Sequence, residues 1–288
     1  MSFTKKDIRV TFQLGADSFE NGKNTKIVTG LACSFNIECV AMPDFNKCQG
    51  KIYNMNIDDI AKLTTLSFEP LSVEKRNLIK IETADNGIDY STAFIGEIEN
   101  SFGDFNSSPD ISLNINAISS SYAMKLPASP LSMKGDATVK NIMSKLAKAA
   151  GYKLECDITD TINNVYIQGS VMQQIYFTAK AVNARVIVDN DVLIVLKNKE
   201  ARKGKSVLIN KDTGLIGYPV FSNQGVMFSC LYNKDLRQQG LVTLETIVPK
   251  AKGIWKIIKL SHALTANSPQ GGDWKSTVEA VYIYSWKG

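Results

Sequence analysis

The single histidine of the chain, His262, is the side chain best suited to acid–base chemistry near neutral pH. With Ser261 and Asp273 it could supply the nucleophile, base and orienting acid of an acyl-transfer site. No serine lies in the Gly-x-Ser-x-Gly turn that exposes such a nucleophile in many hydrolases. Because His262 ends an apolar run, we interpret it as a packed or surface histidine. The sequence predicts no catalytic residue.

Two adjacent carboxylates, Asp58 and Asp59, are the second candidate for acid–base work. Adjacent residues on a helix do not face one another. Both follow Asn56, a predicted N-cap, where the helix dipole favours acidic side chains, so a structural role is expected. The glycine-rich loops that hold phosphates, GxGxxG and GxxxxGK[ST], do not occur in the sequence. We therefore predict neither nucleotide chemistry nor a cofactor.

The cysteines could bind metal or form disulfides, and their spacing favours neither. There are five, an odd number: Cys33, Cys39, Cys48, Cys156 and Cys230. The sequence has no CxxC pair, and a zinc site would need Cys33, Cys39 and Cys48 at spacings unlike those of zinc fingers. Cys33 and Cys39 lie an even number of residues apart, on one face of a regular strand. We predict reduced thiols of a cytoplasmic protein that act as small buried hydrophobes, and no metal.

Composition places the chain among soluble globular proteins. Its 288 residues are 44% hydrophobic and 21% charged, and no run approaches ~18 apolar residues. The first residues lack the pattern of an ordinary signal peptide, so neither membrane insertion nor export by that route is expected. The net charge of +5 is unevenly spread: −4 over 1–125, +2 over 126–200 and +7 over 201–288. No dense basic and aromatic cluster occurs, so we predict meeting acidic and basic subunit surfaces rather than nucleic-acid recognition.

Strands are predicted for most of residues 1–126. Alternation of apolar residues indicates one strand over 8–14 and a long one over 26–39, joined by a turn at 21–24. A short helix follows Asn56, and further strands are predicted over 77–82, 91–98 and 111–118.

Two prolines at 127 and 130 mark a linker, after which the period becomes helical. Val139, Ile142, Met143, Leu146, Ala147 and Ala150 follow helical spacing, with Gly151 placed to end the helix. Ser170 and Gln173 form a capping box for a second helix. Strands over 152–156 and 164–168 and a hairpin over 185–196 complete an α+β module at 127–202, predicted to have a core of its own.

Strands are predicted again over most of 203–288, after a lysine-rich linker at 197–205. This last part is too short for a large independent domain and should pack against the first. The fold class is mainly β with an α+β insert of two helices, in three parts: 1–126, 127–202 and 203–288.

Ordered groups of residues near the two ends resemble a known family. They are Gly214-Leu215-Ile216-Gly217-Tyr218-Pro219, Gly225 to Tyr232, Gly240 to Glu245 and Gly253 to Ile257 with His262 and Trp274 in the last part, and Lys51 to Met55, Leu63 to Leu66, Phe94 to Ile98 and Pro109 to Ile111 in the first. This order resembles the baseplate hub proteins of contractile phage tails, the Mu-like branch of the late-control D family. Asn54 stands where that family's pattern has a glycine.

The resemblance implies a non-enzymatic homotrimer with two β-barrels per subunit, each similar to the tail-tube protein. Three subunits would present a pseudo-sixfold ring to the tail tube and a threefold surface to the central spike protein, among other baseplate subunits. The expected location is the virion baseplate, assembled in the host cytoplasm.

Two other functions stay open at this stage. A receptor- or glycan-binding tail module would use exposed tryptophans, and a tail-associated cell-wall hydrolase or protease would need an acid–base set that the residues do not provide. Trp255, His262 and Trp274 are the candidate interaction residues.

Overall fold

The computed structural model describes residues 4–20, 22–65, 77–106 and 108–283. In the first part the elements are β1 (Lys6–Gln13), β2 (Thr25–Thr29), β3 (Cys33–Cys39), β4 (Lys47–Tyr53), α1 (Ile57–Leu63), β5 (Leu78–Asp85), β6 (Ile88–Asp104), β7 (Ser112–Ile118) and α2 (Ser121–Lys125). The predicted turn at 21–24 lies partly outside the described residues. Helix α1 begins as predicted, because the Asn56 side chain accepts a hydrogen bond of 2.9 Å from the Asp58 amide.

The prediction of one strand over 26–39 is wrong. Gly30 has a φ of 77°, a left-handed conformation that glycine adopts readily, and it separates β2 from β3. The two strands then take different partners: β2 pairs with β1, and β3 pairs with β4. Alternation continues across the break, so the sequence pattern alone does not reveal it.

The middle part contains β8 (Leu131–Thr138), α3 (Val139–Ala149), β9 (Lys153–Cys156), β10 (Thr161–Ile167), α4 (Val171–Ala181), β11 (Ala184–Asp189) and β12 (Val192–Lys197). The capping box of Ser170 and Gln173 is present, and Gly151, with a φ of 80°, follows α3. Strands β11, β12 and β9 form a three-stranded sheet, while β8 and β10 form a separate ribbon. Strand β8 was not predicted, because its residues lack a continuous apolar alternation.

The last part contains β13 (Val207–Ile209), β14 (Leu215–Phe221), β15 (Gly225–Leu231), β16 (Leu241–Leu244), a short 3-10 helix (Pro249–Ala251), β17 (Gly253–Ala266) and β18 (Trp274–Tyr282). It packs against the first part by pairing β17 with β3, so both parts share one 13-stranded sheet. The predicted fold class, mainly β with an α+β insert, is confirmed. Among the described residues no hydrogen bonds close either half into a barrel, and closed barrels stay a prediction.

The two halves of the sheet have the same arrangement of five strands. The order is β3-β4-β7-β6-β5 in the first half and β14-β15-β18-β17-β16 in the second. Strand β6 skips one residue against β7 between Ile98 and Asn100, and β17 skips one against β18 between Ile257 and Lys259. The halves are therefore structural repeats in which Ile98 is equivalent to Ile257.

Three main cores fill these parts. One lies within the first half and one within the second, and the insert has a third. Of the residues predicted for the insert core, seven are buried and Val182 is partly buried: Val139, Ile142, Leu146, Ile175, Val186, Val188 and Leu193. Phe45 and Ala123 of the first part also belong to this core. The insert therefore has its own core but shares part of it with the first part.

The cysteines are free thiols in the structure. Four are buried and Cys39 is partly buried, and burial raises the pKa of Cys33, Cys39 and Cys230 to about 12. Cys33 and Cys39 lie on one face of β3, as their spacing predicts. Within the described ranges no cluster of histidine, cysteine and carboxylate side chains could hold a metal ion, and no helix is long and apolar enough to cross a membrane.

Candidate functional site

Strand β17 joins the two halves of the sheet. One of its edges pairs with β16 from Gly253 to Lys256 and then with β3 from Leu260 to Ala266. The other edge pairs with β18. Leu260 belongs to the core of the second half, and Leu264 belongs to the core of the first. We call the pairing of β17 with β3 the junction, because it makes the two repeats one continuous surface.

His262 lies at the junction between these two cores and is only 6% exposed. Its Nδ1 is 2.8 Å from the Ser276 hydroxyl, and its ring meets the Tyr232 ring edge-on, with centroids 5.1 Å apart. Burial lowers the pKa of His262 to about 4, so the ring is neutral at neutral pH. The geometry is that of a packed histidine.

Trp274 is partly buried on the other side of Tyr232. The two rings are 5.6 Å apart in an edge-on arrangement, and the Lys6 ammonium lies 5.9 Å from the centroid of Trp274. The Tyr232 hydroxyl also accepts a hydrogen bond of 3.1 Å from Thr83. Trp274 and Tyr232 therefore tie the second half to the first.

Trp255 is 5% exposed in the second core, away from this group, and its indole N–H donates to the Ala251 carbonyl at 2.9 Å. The structure brings His262 and Trp274 together around Tyr232 but leaves Trp255 apart. Within one chain, Trp255 and His262 are inaccessible, so their role as interaction residues stays a prediction. Trp286 lies outside the described residues.

The sequence candidates for catalysis do not converge. Ser261 and His262 are neighbours on a strand and point to opposite faces, and His262 bonds to Ser276 instead. The Asp273 carboxylate pairs with Lys275 at 3.1 Å. Asp59 is buried and pairs with Lys26 at 2.9 Å. The geometry supplies no acid–base pair.

The insert is held to the first part by backbone acceptors of β11. The Val186 carbonyl accepts from the Met42 amide at 2.9 Å, and the Val188 carbonyl accepts from the Asn46 side chain at 2.9 Å. Asn46 is buried, and its side-chain oxygen also accepts from the Val40 amide at 2.9 Å. These contacts fix the insert against the loop between β3 and β4.

Arg202, the last residue of the insert, lies where the insert meets the second half. Its side chain pairs with Asp189 and, at 3.2 Å, with Glu155 of the insert, and its amide donates to the Gln239 carbonyl of the second half at 2.7 Å. Arg237 of the second half lies 3.7 Å from Asp189. A cavity of about 30 Å³ lies here, bounded by residues of all three parts. It has room for about one water molecule, and the buried side-chain oxygen of Gln238, a lining residue, lacks a hydrogen-bond partner. The cavity is too small for any larger ligand.

Sequence reasoning missed two edges of the sheet. Within the described part of the chain, β14 pairs with β15 alone, and its exposed side chains are mostly apolar, with Tyr218 68% and Val220 59% exposed. At the other end, β6 pairs with β7 up to Asp104. Past Ser101, which bonds to Thr65, no described residue forms a backbone hydrogen bond with its second edge, although Ile60 of α1 packs beside Gly103. We call these the free edges. Gly214, Gly217 and Pro219 interrupt the pattern of a strand, so β14 was not predicted.

Comparison with known proteins finds phage baseplate and tail proteins. A family model described as baseplate hub gp41 matches residues 7–270. A search of curated proteins finds no match. Among solved structures, the chain is similar to the 43 kDa tail protein of prophage MuSo2 from Shewanella oneidensis, with a TM-score of 0.61, 10% identity and 96% and 97% of the two chains covered.

Two further structures share the fold. The tail protein from Neisseria meningitidis MC58 has a TM-score of 0.62 at 11% identity, with 96% of this chain and 98% of that chain covered. The E. coli c3393 protein, described as a component of the type VI secretion system, has a TM-score of 0.56 at 9% identity over 88% and 74% of the chains. The resemblance read from the sequence is confirmed: this chain belongs to the baseplate hub gp41 family and is a structural protein of the phage baseplate.

Proposed function

We propose that the chain forms a closed homotrimer at the centre of the baseplate and joins the tail tube to the central spike protein. Each chain contributes two repeats, so three chains place six similar units round a ring that has only threefold true symmetry. Such a ring adapts a sixfold tube to a threefold spike. Other baseplate subunits would surround it.

The observation that carries this proposal is the junction within one chain. Residues 260–266 of β17 pair with β3. By repeat equivalence β6 corresponds to β17 and β14 corresponds to β3, so the two free edges are the same complementary pair that the junction already joins. A head-to-tail contact of this kind repeats from chain to chain and gives a closed ring when the rotation between neighbours divides a full turn.

The register of the proposed contact follows from the equivalence. His262 pairs with Ile37 at the junction. Gly103 lies five residues after Ile98, and His262 lies five residues after the equivalent Ile257, so Gly103 is the equivalent of His262. Phe221 takes the place of Ile37, because it lies opposite Val226 as Ile37 lies opposite Cys48. The exposed Phe221 of one subunit would thus lie against Gly103 of the next, beside the exposed Phe105 ring and the Ile60 side chain that already pack there.

Charge favours the same arrangement. The first part carries a net charge of −4 and the last part +7, and the contact would bring a first part against a last part. Opposite charges on meeting surfaces speed association and disfavour wrong pairings, and their effect weakens as salt rises.

Assembly in the host cytoplasm is part of the proposal. The free thiols are compatible with a reducing compartment. For the spike and tube contacts, the support is the family itself and the fold shared with the E. coli c3393 protein, which is described as similar to the T4 tail proteins gp27 and gp5.

The test is the mass of the purified chain at low and high salt. A trimer has three times the 31.7 kDa of one chain. We expect that mass at low salt and partial dissociation at high salt. A monomer at every salt and protein concentration would contradict the ring.

Neither of the two described tryptophans supports the glycan-binding alternative. Trp255 is buried, and Trp274 has Lys6 near one face and Tyr232 beside it. An exposed aromatic face on which a sugar ring could stack is therefore missing at both residues.

A further inference from the structure

The second half carries an apolar stripe on the outer face of its sheet. Leu208 of β13 lies opposite Thr243 of β16, which lies opposite Ile254 of β17. The side chains of this row point away from the core, and Leu208 and Ile254 are 41% and 49% exposed. Ile247, in the loop that follows β16, is 78% exposed. We call Leu208, Thr243, Ile247 and Ile254 the outer stripe.

On the equivalent face of the first half, charged side chains pair with one another. Leu78 lies opposite Glu97 as Leu241 lies opposite Lys256, so Lys80 is the counterpart of Thr243. Lys80 pairs with Glu82 at 2.7 Å, and Arg9 pairs with the same carboxylate at 2.8 Å. The repeats therefore differ at this face: one is polar and internally paired, and the other is apolar and open.

The rim of the outer stripe carries three lysines and one carboxylate, Glu245, which accepts a hydrogen bond of 3.0 Å from Asn210. Lys250 and Lys252 precede Ile254, Lys205 precedes Leu208, and all three lysines are exposed. Among the described residues none of the three has an ion-pair partner. Exposed apolar side chains beside unpaired cations match a partner surface that offers apolar groups and carboxylates.

We propose that the outer stripe binds an apolar, carboxylate-bearing segment of a different baseplate protein, one segment per chain. A second copy of this chain is a poor occupant, because its last part carries the same positive charge and its acidic first part is already engaged at the free edges of the proposed ring. Leu208, Thr243 and Ile254 lie on strands other than the two free edges, which the ring would use, although the turn at Pro249–Ala251 contacts β14. In the proposed ring the stripe occurs on alternate repeats, so the partner would bind three times rather than six; this stoichiometry rests on the proposed function.

Photo-cross-linking in assembled particles tests the proposal. A photoreactive benzoylphenylalanine replaces Leu208 or Ile254, and a matched particle carries it at Ile88, an apolar residue of the first half that is 66% exposed. We expect the stripe positions to give a product with one different protein, cross-linked at a peptide that contains aspartate or glutamate. The Ile88 particle should not give that product. If replacement in the stripe prevents assembly, Lys252 provides a neighbouring exposed position.

Several results would overturn the proposal: a product with a second copy of this chain, a cross-linked peptide without carboxylates, the same product from Ile88, or no product from the stripe positions. The variant Lys250→Glu/Lys252→Glu should lower the cross-link yield at Leu208 several-fold. The mass of the same purified variant separates the two proposals, because a failed ring gives a monomer whether or not the stripe binds its partner.

Discussion

Glu97 and Lys256 occupy equivalent positions in the two repeats, and both are buried, with 9% and 6% of their surface exposed. Glu97 accepts a hydrogen bond from the Tyr122 amide in the first turn of α2. The Lys256 ammonium donates to the carbonyls of Asn198 and Glu200 at 2.8 and 3.3 Å. The same site thus holds the segment that leads into the insert in one repeat and the segment that leads out of it in the other.

This relationship explains why the repeats are invisible in the sequence. The backbone arrangement is common to both, but each connecting segment offers a different kind of group: amides at a helix start attract a carboxylate, and free carbonyls attract an ammonium. Residues of opposite charge therefore stand at equivalent positions.

Acid should destabilise the protein through His262. Its folded pKa of about 4 lies below the ordinary value of 6.5, so the unfolded chain binds the proton first as pH falls. The stability contributed by the neutral ring is full above pH 6.5 and is lost between pH 6.5 and 4, about 3 kcal/mol in total. Urea unfolding at pH 7 and 4.5 measures the loss. His262→Gln should show a smaller loss over this interval; an unchanged loss would assign it to other groups.

Arg202 should be important for the end of the insert, where it meets the second half. Arg202→Met removes the partner of Glu155 and leaves Asp189 with only the more distant Arg237, which should cost about 2–3 kcal/mol. Lys203→Met is the matched control, since its pair with Asp157 is exposed and should contribute nothing measurable. Urea unfolding of both variants gives the comparison. Equal stability of the two variants would contradict the role given to Arg202.

The thiols should be unreactive in the folded protein. Burial raises the pKa of Cys33, Cys39 and Cys230 to about 12 and raises the pKa of Cys48 and Cys156 as well, so the thiolate is scarce at pH 8. Titration with a thiol reagent should detect none of the five in native protein and all five in denaturant. Rapid labelling of native protein would contradict this burial.

Stoichiometric zinc, lost together with stability on chelation, would overturn the prediction that no metal is bound.

The insert should be dispensable for the ring. Neither free edge belongs to residues 131–197, so deleting them and bridging the gap with a flexible linker should preserve the trimer mass. The deletion exposes Phe45 and Ala123, which pack in the insert core, so we expect lower stability. Adding Phe45→Ser should restore solubility if exposed apolar surface causes aggregation. A folded, soluble monomer would place the insert in the ring.

Local features of the fold could be predicted from the sequence, and pairing between distant strands could not. The Asn56 cap, the capping box at Ser170 and the spacing of α3 follow from hydrogen bonds and periodicity within a few residues. The junction pairs residues more than 220 positions apart, and no local pattern encodes that. The apolar run before His262 is local, so its packed state could be predicted. Its position between two cores depends on distant strands and required the structure.

The free edges should meet between subunits in the register of the junction. Ala263 pairs with Asn36 within one chain, and its equivalent in the first repeat is Asp104, as Val220 is the equivalent of Asn36. Residues paired across antiparallel strands have Cα atoms about 4.5–5.5 Å apart, which suits a disulfide. Asp104→Cys/Val220→Cys should therefore form covalent dimers and trimers on mild oxidation, seen on non-reducing gels.

The matched control is Asn36→Cys/Ala263→Cys, which tests the same geometry inside one chain and should give a monomeric disulfide. The single variant Asp104→Cys should form no ladder, because the native thiols are buried. High salt during oxidation should reduce the intermolecular product and leave the intramolecular one unchanged, since only the former depends on attraction between oppositely charged parts. If the control bond forms and the Asp104→Cys/Val220→Cys protein stays monomeric at every concentration, the free edges do not meet as the repeat equivalence requires.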